Sequence, residues 1–441
     1  MFAPAEHCAL VLGPPRSGKT SGIVVPNVLA ASGSVVAAST KPDVLAATVS
    51  TRRAIGPCML FDPSGSTRAP SGVEVVGWSP LASAHEWDAA VLTAEAMVGA
   101  ARPGGDRGES AHWSERAAAL LACVTHAAAL DGASLDEVVS CVNRRDSDRF
   151  TTILTRNDAD LALDLLTGIR ATDAREQSGI WSTLSGVLAA YRTSTALDSA
   201  RARGVDAAAL LDSNATLYVA CSAEHQRHAA PVVAGLVRDV RSAAYARAAR
   251  GATAPAATAV GRASPSAPVL LVLDELAGIA PLHDLPSLVA EGASQGVLTL
   301  ACLQDLSQAR ARWGAAAEGF LTLFGAKVVL RGVGDTTTLD ALSKLAGDRE
   351  VSRTTTTRPR GLLGRLQESR SVTTERVRRL PPDAIANLPV GSALAWIGTT
   401  PGRVALPAPV GDARAELATR ARRPPGRAPA GSRGFGRSAG R

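Results

Sequence analysis

The stretch that decides the fold is Gly13-Pro14-Pro15-Arg16-Ser17-Gly18-Lys19-Thr20. It directly follows an apolar run at residues 7–12, which predicts a β-strand, and it precedes a segment at 21–31 that is compatible with a helix. Glycines at both ends of the loop allow the backbone to curl so that successive N–H groups point inward. The helix adds its positive N-terminal end to the same point, so this order of elements predicts an anion site.

The pattern G-x4-G-K-T in this context is that of a phosphate-binding loop. Lys19 is predicted to reach the β and γ phosphates of a nucleoside triphosphate, and the Thr20 hydroxyl to ligate Mg²⁺. All eight loop residues, Gly13 to Thr20, are therefore candidates for binding ATP. A chance match in a chain with 40 glycines is the alternative, and the flanking strand and helix argue against it.

A second apolar run, Val-Leu-Leu-Val-Leu at 269–273, is followed by two adjacent carboxylates, Asp274 and Glu275. Such a pair at the end of a buried strand is the Walker B arrangement. We expect Asp274 to hold the hydration shell of Mg²⁺ and Glu275 to orient and deprotonate an attacking water. A further strand at 297–303 ends at Gln304, which can bond the γ-phosphate or that water, although a helix-capping or turn role stays open on the residues alone.

The order of predicted elements indicates an α/β protein with a mainly parallel sheet, because strands and helices alternate through residues 33–61 and strands return at 215–221. Residues 104–204 show only helical periodicity, which favours an inserted all-α domain over helices that simply flank the sheet. The predicted organisation is a nucleotide-binding domain at 1–103 and 205–409, an all-α domain at 104–204, a mobile linker at 251–267 and a disordered Arg-rich tail at 410–441.

The positive charge lies in the last quarter of the chain. Residues 349–379 contain nine arginines and three glutamates, and residues 410–441 contain eight arginines and two acidic residues, whereas the rest of the chain is mildly acidic. The segment 349–379 contains two β-prone runs, 354–357 and 371–377, which predict either a basic hairpin or a solvated loop. Arginines of this kind neutralise nucleic-acid phosphates without reading sequence.

The six cysteines are widely spread, with no C-x-x-C pair, which favours small buried apolar residues over a metal site. No secretory signal is visible, and the uncharged run at 20–40 contains Pro26 and Asn27, so a helix followed by a strand explains it better than a membrane span. The chain is therefore expected to carry no transmembrane segment.

Several motifs taken together resemble those of type IV coupling proteins, the TraG and TraD kind, from the first residues to about Leu406. They are the phosphate loop continuing into Ser21-Gly22-Ile23-Val24-Val25-Pro26-Asn27, the segments Thr40-Lys41-Pro42-Asp43 and Phe61-Asp62-Pro63-Ser64-Gly65, Leu273-Asp274-Glu275-Leu276-Ala277 with Ile279-Ala280-Pro281-Leu282, and Gln304 followed by Leu306-Ser307-Gln308.

The resemblance implies a RecA-like P-loop NTPase of the wider FtsK and HerA group, assembled as a homo-hexamer at the cytoplasmic face of the cell membrane. Such proteins bring a relaxase-bound DNA strand, here expected to be single-stranded and bound without sequence preference, to a type IV secretion channel. The positions of these motifs imply that Lys19 and Thr20 are ligands of the triphosphate and Mg²⁺. They also imply that Asp274 and Glu275 are the Walker B pair and that Gln304 is the sensor.

Two departures from the family pattern matter. Family members begin with transmembrane helices, whereas 12 residues precede Gly13 here. We therefore expect either that the membrane anchor is a separate chain or that this chain is a shortened product. The position where several relatives carry an arginine that acts on the neighbouring subunit's nucleotide is Ala293. Arg331 is our candidate for that role, and a surface arginine without function is the alternative.

A function of another class fits the same features. The missing anchor and Ala293 are compatible with an ATP-binding receptor that docks secreted protein substrates through the all-α domain without pumping DNA. A small-molecule kinase is disfavoured, because the order of Walker B and Gln304 fits motor ATPases and the sequence offers no acceptor-substrate site.

Overall fold

The computed structural model describes residues 7–101, 109–253, 267–357 and 369–407. The strands within these ranges are β1 (Ala9–Leu12), β2 (Val35–Ser39), β3 (Cys58–Phe61), β4 (Glu74–Val75), β5 (Thr216–Ala220), β6 (Val269–Leu273), β7 (Val297–Leu303), β8 (Ala326–Leu330), β9 (Asp348–Thr357), β10 (Ser369–Arg378), β11 (Ser392–Ile397) and β12 (Thr400–Ala405).

The described helices surround the sheet or follow one another between β4 and β5. They are α1 (Val25–Ala30), α2 (Asp43–Arg52), α3 (Trp87–Ala101), α4 (Glu109–Asp131), α5 (Leu135–Arg144), α6 (Asp148–Arg156), α7 (Asp160–Arg170), α8 (Ala174–Val187), α9 (Ser194–Arg201), α10 (Ala207–Asp212), α11 (Gln226–Thr253), α12 (Leu276–Ile279), α13 (Leu285–Glu291), α14 (Leu306–Trp313), α15 (Phe320–Leu323), α16 (Thr336–Ala346) and α17 (Pro382–Ala386). None of them is long and apolar enough to cross a membrane.

Ten of the described strands form one sheet in the order β12-β11-β8-β1-β7-β6-β2-β5-β3-β4. All neighbours pair in parallel except β11, which is antiparallel to both β8 and β12. Parallel strands are covered on both faces, which is why the central ones are almost wholly apolar and buried, as in β2 and β5. The predicted α/β class with a mainly parallel sheet is confirmed.

The strand order decides where the polar motifs meet. β7 lies between β1 and β6, and β2 lies on the far side of β6. Because these strands run in parallel, the phosphate loop, Gln304, the Asp274–Glu275 pair and Ser39 all follow carboxyl ends at one edge of the sheet. Ligands of open α/β sheets bind at that edge.

The helix after the phosphate loop differs from the prediction of an unbroken helix at 21–31. Residues Thr20–Val24 form a π-helical turn, in which the Val25 N–H donates to the Thr20 carbonyl, and α1 begins only at Val25. Pro26 explains the change, because it has no N–H to donate to the preceding turn and its ring would clash with the carbonyl four residues earlier. The wider turn accommodates both constraints.

Two layers of apolar side chains cover the sheet. Val28 of α1 and Leu45 of α2 pack on one face, whereas Met97 of α3 and Val237 of α11 pack on the other. The second layer continues without a break into the helices α4 to α8. Residues 109–201 contain helices and no strand, as predicted, but the shared core marks no boundary, so the domain limits at 103 and 204 stay predictions.

Arg52 lies wholly inside the protein, at the end of α2. Its guanidinium donates to the carbonyls of Ala31 and Gly33, the second at 2.7 Å, and to the Thr216 hydroxyl at 2.8 Å. Burial lowers the pKa of this group. The arginine thereby satisfies carbonyls that end α1 and precede β2, which would otherwise be buried without a donor.

All six cysteines are buried thiols without a disulfide, as predicted. Burial raises the pKa of each of them, to about 12 for Cys123, Cys141 and Cys221.

The predicted linker at 251–267 begins too early. α11 continues through Thr253, and Arg247 near its end donates to the carbonyls of Leu211 and Ala267, which fixes this end of the helix against the sheet layer. The remainder of the predicted linker, 254–266, and the predicted tail at 410–441 lie outside the described residues.

β9 and β10 form a separate two-stranded antiparallel ribbon, so the predicted hairpin is confirmed for 348–357 and 369–378. Both of its faces are exposed, and its arginines mostly face acids: Arg376 lies 3.5 Å from Glu350 and Arg378 lies 3.7 Å from Asp348. The acidic neighbours thus neutralise part of the positive charge that the arginines give the ribbon.

Two helical glycines should respond oppositely to alanine. A Cβ on Gly235 of α11 would lie 2.2 Å from the Trp78 ring, whereas a Cβ on Gly186 of α8 would meet nothing within 4 Å. We expect Gly235→Ala to lower the free energy of unfolding by about 1–3 kcal/mol through overpacking. Gly186→Ala should raise it by roughly 0.5–1 kcal/mol, because alanine lowers the conformational entropy of the unfolded chain. Urea denaturation measures both, and equal effects of the two changes would contradict the packing described.

Candidate functional site

A cleft of about 630 Å³ opens at the carboxyl edge of the sheet. Its wall contains Lys19 and Thr20 of the phosphate loop together with Asp274 and Glu275 after β6. The pairs are far apart in sequence, since Thr20 and Asp274 are 254 positions apart, and they share this one cleft, as the sequence predicted.

The loop backbone explains its glycines. Gly18 has φ of +96°, a conformation that residues with a side chain rarely adopt. Gly13 is required for space instead, because a Cβ there would lie 2.6 Å from the Ser17 hydroxyl and 3.1 Å from Leu330. Arg16 also takes the left-handed region, with φ of 62°, which turns the chain at the loop tip.

The Lys19 side chain folds back along the loop. Its ammonium donates to the carbonyl of Gly13 at 2.5 Å and to that of Pro14 at 3.1 Å, and only 9% of the residue is exposed. The Ser17 hydroxyl of the same loop is buried and has no partner among the described residues. A loop that gathers a cation and an unpartnered hydroxyl inside a turn of N–H groups fits a phosphate chain.

Asp274 is the centre of the polar contacts. The Thr20 hydroxyl donates to its two oxygens at 3.0 and 3.2 Å, and the Ser39 hydroxyl of β2 donates at 3.0 Å. Burial raises the pKa of the carboxyl, and the two hydroxyl donors oppose that rise. One carboxylate and one threonine hydroxyl in contact are a donor set that Mg²⁺ accepts when substrate phosphates and waters complete its shell.

Such a shared site agrees with a further observation: no group of three or more His, Cys, Asp or Glu side chains able to hold a metal occurs in the ranges that the structure describes. With Thr20 and Asp274 as its protein ligands, Mg²⁺ in this cleft would take most of its ligands from the nucleotide and from water, as is usual for phosphate-bound magnesium.

Glu275 follows Asp274 and leads the chain into α12. Its carboxylate lines the cleft, and burial raises its pKa, whereas the charge of Lys19 lowers it. A carboxylate with a raised pKa beside the phosphate site has the character of a general base.

Gln304 directly follows β7, the strand between β1 and β6. At this point the Gly13 N–H donates to the carbonyl of Leu303 at 3.1 Å. Its own N–H donates to the Gln308 side chain at 2.9 Å. It does not line the cleft. Its position beside the loop is as predicted, and its sensor role stays a prediction.

Sequence reasoning gave no role to several residues that line the cleft on the β2 side, namely Ser39, Thr40, Lys41 and Asp43. Ser39 is the one in direct contact with Asp274. The signal available in the sequence was the change from an apolar run to Ser-Thr-Lys at the end of a strand, which places hydroxyls and a cation at the binding edge of a parallel sheet.

The two positions considered for an arginine that acts on a neighbouring subunit lie at opposite edges. Ala293 is in the turn before β7, at the amino edge of the sheet and away from the cleft of its own chain. Arg331 follows β8 at the carboxyl edge, next to the loop of its own chain, and does not line the cleft. Its action in a neighbouring subunit stays a prediction.

The sheet order, the glycine-bounded loop and the shared carboxylate define a RecA-like P-loop NTPase fold. Residues 268–390, which contain Asp274, Glu275 and Gln304, match the family described as the TraM recognition site of TraD and TraG. The predicted similarity to type IV coupling proteins is confirmed.

Solved structures of one bacterial coupling protein share the fold. TrwBdeltaN70 in an unbound monoclinic form has a TM-score of 0.67 and 20% identity, over 92% of this chain and 85% of that one. TrwB with ADP and Mg²⁺ has a TM-score of 0.59 and 18% identity, and TrwB with the ATP analogue ADPNP has 0.57 and 20%, each over 91% of this chain and 86% of that one. The curated proteins contain no match to the sequence.

The raised pKa of Glu275 has a consequence for stability. Between its ordinary value of 4.5 and the higher value in the folded protein, the native state binds the proton more tightly, so the free energy of unfolding falls as pH rises through that window. Glu275→Gln should therefore be more stable than wild type at about pH 8, and the difference should vanish as pH falls towards about 4.5.

Urea denaturation of the ligand-free protein at several pH values measures this difference. Glu318→Gln, which removes the same charge from an exposed position, is the matched control. A gain that is independent of pH would contradict burial as its cause.

Proposed function

We propose that the protein is an ATP-hydrolysing coupling protein that recruits a relaxase-bound DNA strand and translocates it to a type IV secretion or conjugation channel. The observation that carries the proposal is the contact of Thr20 and Ser39 with Asp274 in a cleft that also holds Lys19 and Glu275. The family match at residues 268–390 and the TrwB fold support the coupling role.

Each side chain has a part in this proposal. The eight loop residues, 13–20, bind the triphosphate through backbone N–H groups, and Lys19 leaves the carbonyls of Gly13 and Pro14 to reach the β and γ phosphates. Thr20 and Asp274 hold Mg²⁺, which when bound neutralises charge that develops on the phosphates. Glu275 accepts the proton of the attacking water, and Gln304 relays the presence of the γ-phosphate to α14.

The partners follow from the same resemblance. They are DNA, bound through its backbone without sequence preference, a relaxase, channel proteins and a TraM-like protein at the matched segment. We further propose a homo-hexamer as the active form, located at the cytoplasmic face of the membrane through partners or an anchor subunit. The chain's charge of +7 is compatible with a nucleic-acid partner.

Two substitutions separate binding from hydrolysis. Lys19→Ala should abolish binding of a fluorescent ATP analogue, because it removes the ammonium group that contacts the β and γ phosphates. Glu275→Gln should keep the binding and lower the hydrolysis rate by about 10²-fold or more, the typical contribution of a general base.

Single-stranded DNA should raise the ATPase rate of the assembled wild-type ring. A rate that DNA leaves unchanged, or full hydrolysis by Glu275→Gln, would contradict the motor proposal.

The receptor alternative is kept because the helical region carries a separate polar cleft of about 340 Å³, which includes Arg145, Asp146, Arg170 and Gln177. A receptor without a pump would bind the ATP analogue and protein substrates, yet show no DNA-stimulated hydrolysis. The DNA-stimulation measurement therefore decides between the two functions.

A further inference from the structure

Two arginines outside the cleft lie near α12, the short helix that follows Glu275. Arg312 of α14 donates from Nε to the carbonyl of Ala277 at 2.7 Å. Arg227 lies in the first turn of α11, beside Gln226, whose side-chain oxygen packs so closely on α12 that a Cβ at Gly278 would meet it at 2.7 Å. One arginine thus contacts α12 directly, and the other is next in sequence to a residue that does; α12 itself begins directly after the Walker B pair.

Within the described ranges, neither guanidinium has an acidic partner. No ion pair of Arg227 or Arg312 within 4.0 Å, and no further hydrogen bond of either, occurs among the residues that the structure describes. Arg227 is exposed and Arg312 is half-buried. Burial lowers the pKa of Arg312, and the like charge of Arg227 lowers it further, which agrees with the closeness of the two groups.

Two neighbouring cations repel each other, and an anion that binds between them and accepts their free N–H donors relieves this repulsion. A guanidinium presents its donors in a fixed fork that matches phosphate oxygens, and its charge persists when it is partly buried. The single bond to Ala277 fixes the orientation of Arg312, while both of its Nη groups stay free of protein acceptors in the described part of the chain.

We infer that Arg227 and Arg312 form a clamp for phosphates of the nucleic-acid backbone. The clamp lies beside α12, the helix that follows Glu275. This inference rests on the proposed function and assigns DNA contact to named residues. Three other arginines are less suited to that contact. Arg376 and Arg378 of the ribbon lie beside acids, and Arg310 of α14 itself donates to Asp335 at 2.8 Å.

The position of the clamp gives it a link to the nucleotide. Ala277 is two residues from Glu275, so any displacement of α12 on nucleotide binding moves the carbonyl to which Arg312 is bonded. The grip on a phosphate would then change with the state of the ATP cleft.

The test is the salt dependence of binding to a fluorescent single-stranded oligonucleotide of mixed sequence, followed by anisotropy. It uses the full chain with a non-hydrolysable ATP analogue, between about 50 and 200 mM salt. For Arg227→Gln and Arg312→Gln, the slope of log affinity against log salt should become shallower by about 0.7 for each phosphate that is no longer neutralised. Arg227→Lys should keep the wild-type slope, because a point charge still neutralises a phosphate.

Arg203→Gln is the matched control, since Arg203 is exposed and lies 2.7 Å from Glu74. Arg227 is exposed and makes no described polar contact, so its variant is expected to keep the wild-type thermal unfolding midpoint even if the Arg312 variant does not. A slope for Arg227→Gln equal to those of wild type and Arg203→Gln overturns the clamp.

Two other results are distinguishable from that one. A shallower slope in Arg376→Gln together with an unchanged one in Arg227→Gln assigns the phosphates to the ribbon and also overturns the clamp. Wild-type protein that shows no salt-dependent binding at all overturns the proposed function, and the clamp with it.

Discussion

The structure depends most on one buried carboxylate. Asp274 accepts hydroxyl hydrogen bonds from Thr20, after β1, and from Ser39, at the end of β2, so it ties together three segments that are far apart in sequence. Burial disfavours its charge, and the hydroxyls compensate only in part. A bound cation would therefore stabilise the charged carboxylate. Such a site requires the loop, the acidic pair and the end of β2 to lie at the same edge of a parallel sheet.

Most of the fold followed from patterns that are local in sequence. Buried parallel strands are continuous apolar runs, so β6 and β7 could be placed to the residue, and helix periodicity predicted the helical character of the region that contains α4 to α8. Three features did not follow, because each depends on tertiary contacts. They are the π-helical turn before Pro26, the extension of α11 to Thr253, and Arg52, whose place in the last turn of α2 gave no sign that it would satisfy buried carbonyls.

The site shows the same division. The loop and the Asp274–Glu275 pair were identified because phosphate chemistry requires particular residue types at fixed spacing. Ser39 and Lys41 carry no such spacing, and only the strand order brings them to the cleft. Arg227 and Arg312 were hidden for a related reason. Arginine is abundant in the chain, and its charge is informative only once the structure shows which guanidiniums face acids and which face none.

The six cysteines have a practical value. Each thiol is buried, and burial raises the pKa of each, so the reactive thiolate is scarce near neutral pH and reagents reach it poorly. A single cysteine introduced on the surface would thus be labelled selectively by maleimide dyes or spin labels without first removing the native ones. Subunit arrangement and α12 movement can then be followed spectroscopically in an otherwise wild-type protein.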